Sequence, residues 1–407
     1  MKFNQWTLGL AAVGVISLAS AARADESASP INTMVAGTMI DGYVDTSMQW
    51  NPGTGTDVAY YKFGPGKADG FNLNVVQLSI SKPLDESEWA SGYKVDLWFG
   101  PDAGTLNTTS SDAFAIRQAY VALRAPVGNG LDFKVGVFDS VIGYESVEAG
   151  NNPNFTRSYG HSIEPQTHTG VLATYRFCDW FSASAGVANT VGPMINQRAF
   201  PPYDNRAESY KTYMGSVALT APQSWGWAAG STLYAGFVNG YNSSLPYIPM
   251  VVNAGFLAPG STVSANQTSV YVGGTLATPV TGLKLGAAWD LLDVHSETAS
   301  VFNGAQLDAW AGSVYASYQA TEKLSLHARG ELFQLNADLG SGADNTQIWA
   351  LTGTVQYDLW KNVISRAEVR WDHSDEGQYF RATHNGVYHA DDRVNSILIA
   401  ANIIYKF

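Results

Sequence analysis

Asn395-Ser396-Ile397-Leu398-Ile399-Ala400-Ala401-Asn402-Ile403-Ile404-Tyr405-Lys406-Phe407, the carboxy-terminal stretch, alternates with a period of two. Its odd positions Ile397, Ile399, Ala401, Ile403, Tyr405 and Phe407 are apolar, and Ser396, Asn402 and Lys406 mark the other face. Successive side chains of a strand point to opposite sides, so one face of this segment suits lipid and the other suits water.

The same arithmetic recurs upstream. Over Asn362 to Asp372 one face carries Val363, Ala367, Val369 and Trp371, and the opposite face carries Arg366, Glu368, Arg370 and Asp372. Neither a soluble core nor a bilayer accepts four adjacent charges, so these are expected to line water. Leu283, Leu285, Ala287, Trp289 and Leu291 oppose Lys284 and Asp290; Leu324, Leu326, Ala328 and Leu332 oppose Lys323, His327, Arg329 and Glu331. The phase slips at Val75 and Val76, which predicts a bulge there.

About sixteen such stretches fill Thr38 to Phe407, and the connections between them alternate long and short. Short joints fall near Lys82 to Glu88, Ala125 to Gly130, Cys178 to Asp179 and Trp360 to Lys361, among others; long ones include Pro101 to Phe114, Ser140 to Gln166 and His373 to Val394. The expected fold is all-β: a transmembrane antiparallel up-and-down β-barrel with short periplasmic turns and long extracellular loops. Both termini then lie on the periplasmic side.

Residues 1–24 read as a cleaved signal peptide, with Lys2 ahead of an apolar run and Ala22-Arg23-Ala24 at its exit. Residues 25–37 would be a short periplasmic segment and 38–407 the barrel, with no plug domain of the kind an energised transporter carries. Charged residues make up only 14% of the chain while aromatic ones reach 12%, a balance that fits a lipid-facing sheet with Tyr and Trp at the interfaces. The lone Cys178 sits in a short turn and forms no internal disulfide.

Removing the signal takes away Lys2 and Arg23 and no acids, so the formal charge moves from -12 to -14. That excludes nucleic acid as a partner, which calls for a basic footprint. The excess acids concentrate in long connections, where they would gather cations or the divalent ions that bridge lipopolysaccharide.

The most distinctive piece is the third long connection, residues 140–166. It reads Gly143-Tyr144-Glu145, then Glu148-Ala149-Gly150-Asn151-Asn152-Pro153-Asn154-Phe155-Thr156-Arg157-Ser158-Tyr159, and Pro165-Gln166-Thr167-His168-Thr169-Gly170-Val171 leads back into the barrel. This block, after Lys134-Val135-Gly136-Val137-Phe138, resembles the β-barrel porin-2 (OmpL-like) family, over about Gly37 to Phe407. Ending on an aromatic residue resembles outer-membrane proteins generally, and implies that Tyr405 and Phe407 are read by the barrel-assembly machinery.

In general porins the third loop folds into the lumen. If that transfers, Glu145 and Glu148 approach a wall bearing Arg329, Arg366 and Arg370, and the opposed charges set up a transverse field. Reversing Arg366 and Arg370 to Glu would then shift ion selectivity toward cations. The alternative is anchoring: Arg157 pairs with Glu145 or Glu148 to pin the loop, and Arg366, Glu368, Arg370 and Asp372 form a self-neutralising ladder. Glu331 shares a face with Arg329, and His168 is expected to be an inward polar residue near the loop's return.

No metal site is expected, since the histidines lack close ligand spacing, and no cofactor. Ser325 and His327 share a face but make no triad, and no Gly-x-Ser-x-Gly elbow occurs. The reading is an outer-membrane porin, a water-filled channel for passive diffusion of small hydrophilic solutes or ions. A non-conducting structural or adhesin barrel is the alternative, with an outer-membrane enzyme behind it, and homo-oligomerisation stays open.

Overall fold

The alternating stretches pair antiparallel in chain order and close on themselves. The computed structural model describes residues 37–52, 67, 69–85, 87–199, 210–242, 265–296, 306–338, 343–375, 380, 382–384, 387–389 and 394–407. The signal segment and most of the short stretch after it lie outside the described residues, as do several long connections.

The wall runs β1 (Met39–Trp50), β2 (Gly70–Lys82), β3 (Ser91–Phe99), β4 (Phe114–Ala125), β5 (Leu131–Asp139), β6 (Thr167–Cys178), β7 (Phe181–Ala188), β8 (Thr212–Thr220), β9 (Thr232–Tyr241), β10 (Ala265–Ala277), β11 (Leu283–Ser296), β12 (Gln306–Gln319), β13 (Leu324–Asp338), β14 (Ala343–Trp360) and β15 (Val363–Ser374). A small ribbon of β16 (Ala382–His384) and β17 (Val387–His389) precedes β18 (Asn395–Lys406), which pairs with both β15 and β1 to make a closed barrel of sixteen strands. Closure is backbone chemistry: Gly42 N–H donates to the Phe407 carbonyl at 3.0 Å and Phe407 N–H returns the bond to Gly42 at 3.0 Å. The terminal residue is thus the last rung of the seam. Among the described residues no helix is long and apolar enough to cross a membrane; crossing falls to the strands.

Along β18 the odd side chains Ile397, Ile399, Ile403 and Tyr405 are exposed on the outer surface, and Leu398, Ala400, Asn402 and Ile404 are buried inside. The bulge in β2 falls one residue before the expected slip: Asp45 faces Val75 and Thr46 faces Leu73, leaving Asn74 as the extra residue. Asn74 thereby turns inward and accepts from Ser47 at 3.2 Å and Lys67 at 2.8 Å. A second bulge lies in β4, where Asp96 faces Gln118 and Leu97 faces Ile116, so that Arg117 is extra. It aims both Arg117 and Gln118 at Asp96, each 2.8 Å from Oδ2.

The inner face is not uniformly polar. In the outer halves of β11 to β14, Leu292, Val294, Leu307, Phe333, Leu335 and Ile348 point inward and are buried against Tyr159, Ile163 and Phe380. Where a loop fills the lumen, the inner wall meets protein instead of water, and strands become apolar on both faces. On the opposite side a short helix α1 (Pro101–Leu106) in the second long connection packs Ala103 and Leu106 against Tyr43, Val75, Trp98 and Ala115. The loops therefore have cores of their own inside the barrel.

Candidate functional site

The third long connection, loop 3, lies inside the barrel. Its segment from Ala149 to Tyr159 is bonded to the inner wall of β13, β14, β15 and β18. Two backbone N–H groups, of Phe155 and Thr156, donate to the Glu368 carboxylate at 2.6 and 2.9 Å, and Thr354 donates to it at 2.6 Å. A single inward carboxylate thus satisfies two amides that a buried loop would otherwise leave unpaired.

After this run, Ser158 caps a one-turn helix α2 (Tyr159–Ile163), its hydroxyl accepting from His161 N–H at 3.1 Å. The Tyr159 amide donates to Glu331 at 2.9 Å, and its hydroxyl to Asp372 at 2.9 Å. The ring stacks on Phe333 with centroids 5.0 Å apart, and the Arg370 guanidinium lies 5.1 Å from its centroid. Tyr159 is the peg of the loop.

The arginines expected to face water face the loop. Arg329, 0% exposed, is 2.9 Å from Glu145 and 3.0 Å from Glu331, and also donates to the Thr156 carbonyl at 2.8 Å. Arg370, also 0% exposed, pairs with Asp372 at 2.9 Å and donates to the Arg157 carbonyl at 2.6 Å. Arg366, 3% exposed, donates to the Ala149 carbonyl at 3.0 Å and to Gln356 at 3.0 Å. The ladder on β15 and the floor on β13 so converge on loop backbone.

Arg157 does not pair with Glu145 or Glu148: it donates to the carbonyls of Asn154 and Phe155, while Glu145 goes to Arg329 and Glu148 to Arg117. Burial pushes the Arg157 guanidinium below its ordinary value, consistent with a cation held by neutral oxygens. Glu148 faces the other wall. Arg117 lies 2.8 Å from it and bridges to Asp96 at 2.8 Å and Asp139 at 2.5 Å. Burial alone would raise the Glu148 carboxyl, but Arg117 and Lys94 outweigh it and hold it down at about 2. His168 on β6 is buried, with ring nitrogens 3.4 Å from the Thr190 carbonyl and 3.3 Å from the Ser140 hydroxyl. No group of side chains that would hold a metal occurs among the described residues.

Because loop 3 leans on β11 to β15 and β18, space remains on the opposite side. A cavity of about 440 Å³ lies under Glu148, Gly150 and Asn151, walled by β1 to β6 and reaching the short-turn side at Lys82, Pro83 and Phe407. Lys94, Lys134 and Lys406 line it. Strand alternation already puts these lysines inward, but nothing local to the sequence says that loop 3 leaves space along this wall.

The profile of the family described as "Putative beta-barrel porin-2, OmpL-like" matches residues 37–407. The chain belongs to that family. Solved barrels of similar shape include OmpT of Vibrio cholerae in its trimer form (TM-score 0.58, 14% identity, 91% of this chain and 99% of that one) and an anion-selective porin of Comamonas acidovorans (0.58, 10%, 91% and 99%). The outer-membrane channel DcaP of Acinetobacter baumannii is another (TM-score 0.56, 13% identity, 92% and 98% covered). No curated protein matches the sequence. At such identities the likeness is one of fold. Family and barrel together are those of an outer-membrane channel, not of an enzyme.

This porin-2 barrel also holds a carboxyl pair at the return of loop 3. Glu164 hydrogen-bonds Asp290 of β11, and burial, followed by the neighbouring Asp290 charge, pushes Glu164 well above the ordinary range. A raised acid stabilises most when both states are protonated, below about 4.3, and its contribution is lost as pH rises through the folded value. Unfolding in urea should therefore show the barrel weakening from acid toward alkaline pH, with part of that slope removed in Glu164→Gln. An identical slope in the variant would mean that this pair is not the titrating element.

Proposed function

We propose that this protein is a passive channel of the bacterial outer membrane for small hydrophilic solutes and ions, narrowed by loop 3. The carrying observation is the placement of that loop: bonded along β13 to β15 and β18 and, through Glu148, to Arg117 of β4, it leaves a cavity lined by lysines, carboxylates and tyrosines beside β1 to β6. In this reading Glu145, Arg157, Arg329, Glu331, Arg366, Glu368, Arg370 and Asp372 hold the constriction in shape. Glu148 is the loop group that borders the passage. Residues 1–24 are removed on export, Tyr405 and Phe407 address the chain to the assembly machinery, and lipid and lipopolysaccharide surround the barrel. The trimer form of OmpT of Vibrio cholerae supports a homo-oligomer here.

Reconstitution into planar bilayers tests the reading. Discrete ohmic steps and liposome swelling with small sugars are expected; folded, inserted barrel that gives neither favours the non-conducting structural or adhesin barrel. Orientation has its own test. A protease site inserted at Gly304 or Gly386, both outside the described residues, should be cut on intact cells, and one at Gly128 or Gly282 in the short turns should not. Cleavage at Gly128 on sealed cells would invert the topology.

A further inference from the structure

The cavity under loop 3 is charged unevenly. Lys82, Lys94, Lys134 and Lys406 line it against Asp41, Asp132 and Glu148. Two of those carboxylates are engaged elsewhere: Asp132 by Arg124 at 2.6 Å and Glu148 by Arg117 at 2.8 Å, and neither arginine lines the space. Lys94 has Asp96 at 3.2 Å. Lys134 and Lys406, by contrast, have no carboxylate within 4.0 Å among the described residues: Lys134 sits 5.0 Å from the centroid of the Tyr120 ring, and Lys406 donates to the Gly150 carbonyl at 3.3 Å. Both are half-buried.

Arg329, Arg366 and Arg370 are closed off from water and spent on carboxylates and carbonyls, as cations that build structure should be. An ammonium carries three donors, and partial desolvation strengthens its pull on any anion that reaches it. Lys134 on β5 and Lys406 on β18 stand five strand spacings apart, roughly 24 Å along the wall, so a small anion meets one of them, and Lys134 is the one not bonded to loop 3. That wall also presents ring surface, from Tyr43 and Tyr120. Cationic donors beside aromatic faces suit an ion with a carbon skeleton better than a bare inorganic one.

We propose that this cavity is a binding site for small organic carboxylates, with Lys134 holding the carboxylate and Tyr120 covering its carbon frame. The proposal rests on the channel reading for its physiological sense, as the step at which an organic anion pauses on its way through. Binding itself needs only the folded barrel.

Calorimetry on the full-length mature barrel in detergent micelles, with benzoate as probe and benzamide and inorganic phosphate as controls, tests it. Benzoate should bind and should reversibly reduce chloride current in bilayers, benzamide should do neither, and phosphate should bind more weakly than benzoate. Lys134→Gln should weaken benzoate by about tenfold, the loss of one charge-assisted hydrogen bond, and Lys134→Arg should retain it. Equal binding of benzoate and benzamide, or no effect of Lys134→Gln, overturns the site; phosphate binding as tightly as benzoate overturns its organic character. Benzoate binding without any conductance would sink the channel and keep the site, whereas conductance without benzoate discrimination would sink the site and keep the channel.

Discussion

Arg370→Ala should lower the stability of the folded barrel by roughly 3–5 kcal/mol, the cost of breaking a buried ion pair from one side. Arg370 is 0% exposed and stands between Asp372, at 2.9 Å, and Glu331, at 3.7 Å. Its removal leaves two carboxylates in a closed space and takes away the shorter of two donors to the Arg157 carbonyl, the other being Arg329 at 3.2 Å. Tyr159 loses the cation over its ring, and its hydroxyl is left bonded to an under-neutralised Asp372. Loop 3 should then detach from β13 and β15, so single-channel conductance should rise and become noisy. Urea unfolding in detergent micelles reads the first effect and bilayer recording the second. An unchanged unfolding midpoint would show that the network contributes nothing, and a quiet, unchanged conductance in a destabilised barrel would show that loop 3 does not limit flow. The same geometry changes what charge reversal at Arg366 and Arg370 should do: with side chains bonded to loop backbone, the first consequence is an unpinned loop, and any shift in ion selectivity follows from that.

Ile399→Arg should cost about 2–4 kcal/mol if the residue sits near the bilayer midplane, the range for a cation on the lipid face of a barrel. Ile399 is 41% exposed on the outer surface, flanked across the ladder by Val369 of β15 and Trp50 of β1. It belongs to the strand that closes the seam, so the penalty falls on barrel closure and on one side chain's transfer together. Heat-modifiable, folded barrel in outer membranes should fall sharply in the variant. Wild-type levels would remove Ile399 from lipid and, with it, the face assignment of the whole strand.

Much of this architecture was legible because a strand's side-chain period is local. Ile397, Ile399 and Ile403 against Ser396 and Asn402 state two environments without reference to any other part of the chain, and loop lengths state the order of pairing. The bulges were harder. Two consecutive inward residues such as Arg117 and Gln118 break the period for the sake of a partner, Asp96, on another strand, and the phase change from Phe114 and Ile116 to Val121 and Leu123 marks the slip without naming that partner.

Alternation also showed that Arg366, Glu368, Arg370 and Asp372 avoid lipid, but it could not say that they avoid water too. That depended on where loop 3 lies, and the bonds that place it join residues far apart in the chain: Glu368 with Phe155, Glu331 with Tyr159, Arg366 with Ala149. Buried Leu292, Phe333 and Ile348 on the lumen side have the same origin, since only a filled lumen rewards apolar residues there. By itself the sequence determined a sheet with one lipid face, its parity and its sense of closure, because each follows from neighbours two residues apart and from the lengths between segments. The tertiary structure alone decided which inward charges are spent on holding a loop and which, Lys134 among them, are left facing open space, because desolvation and ion pairing depend on what stands across the barrel and not on what stands beside a residue in the chain.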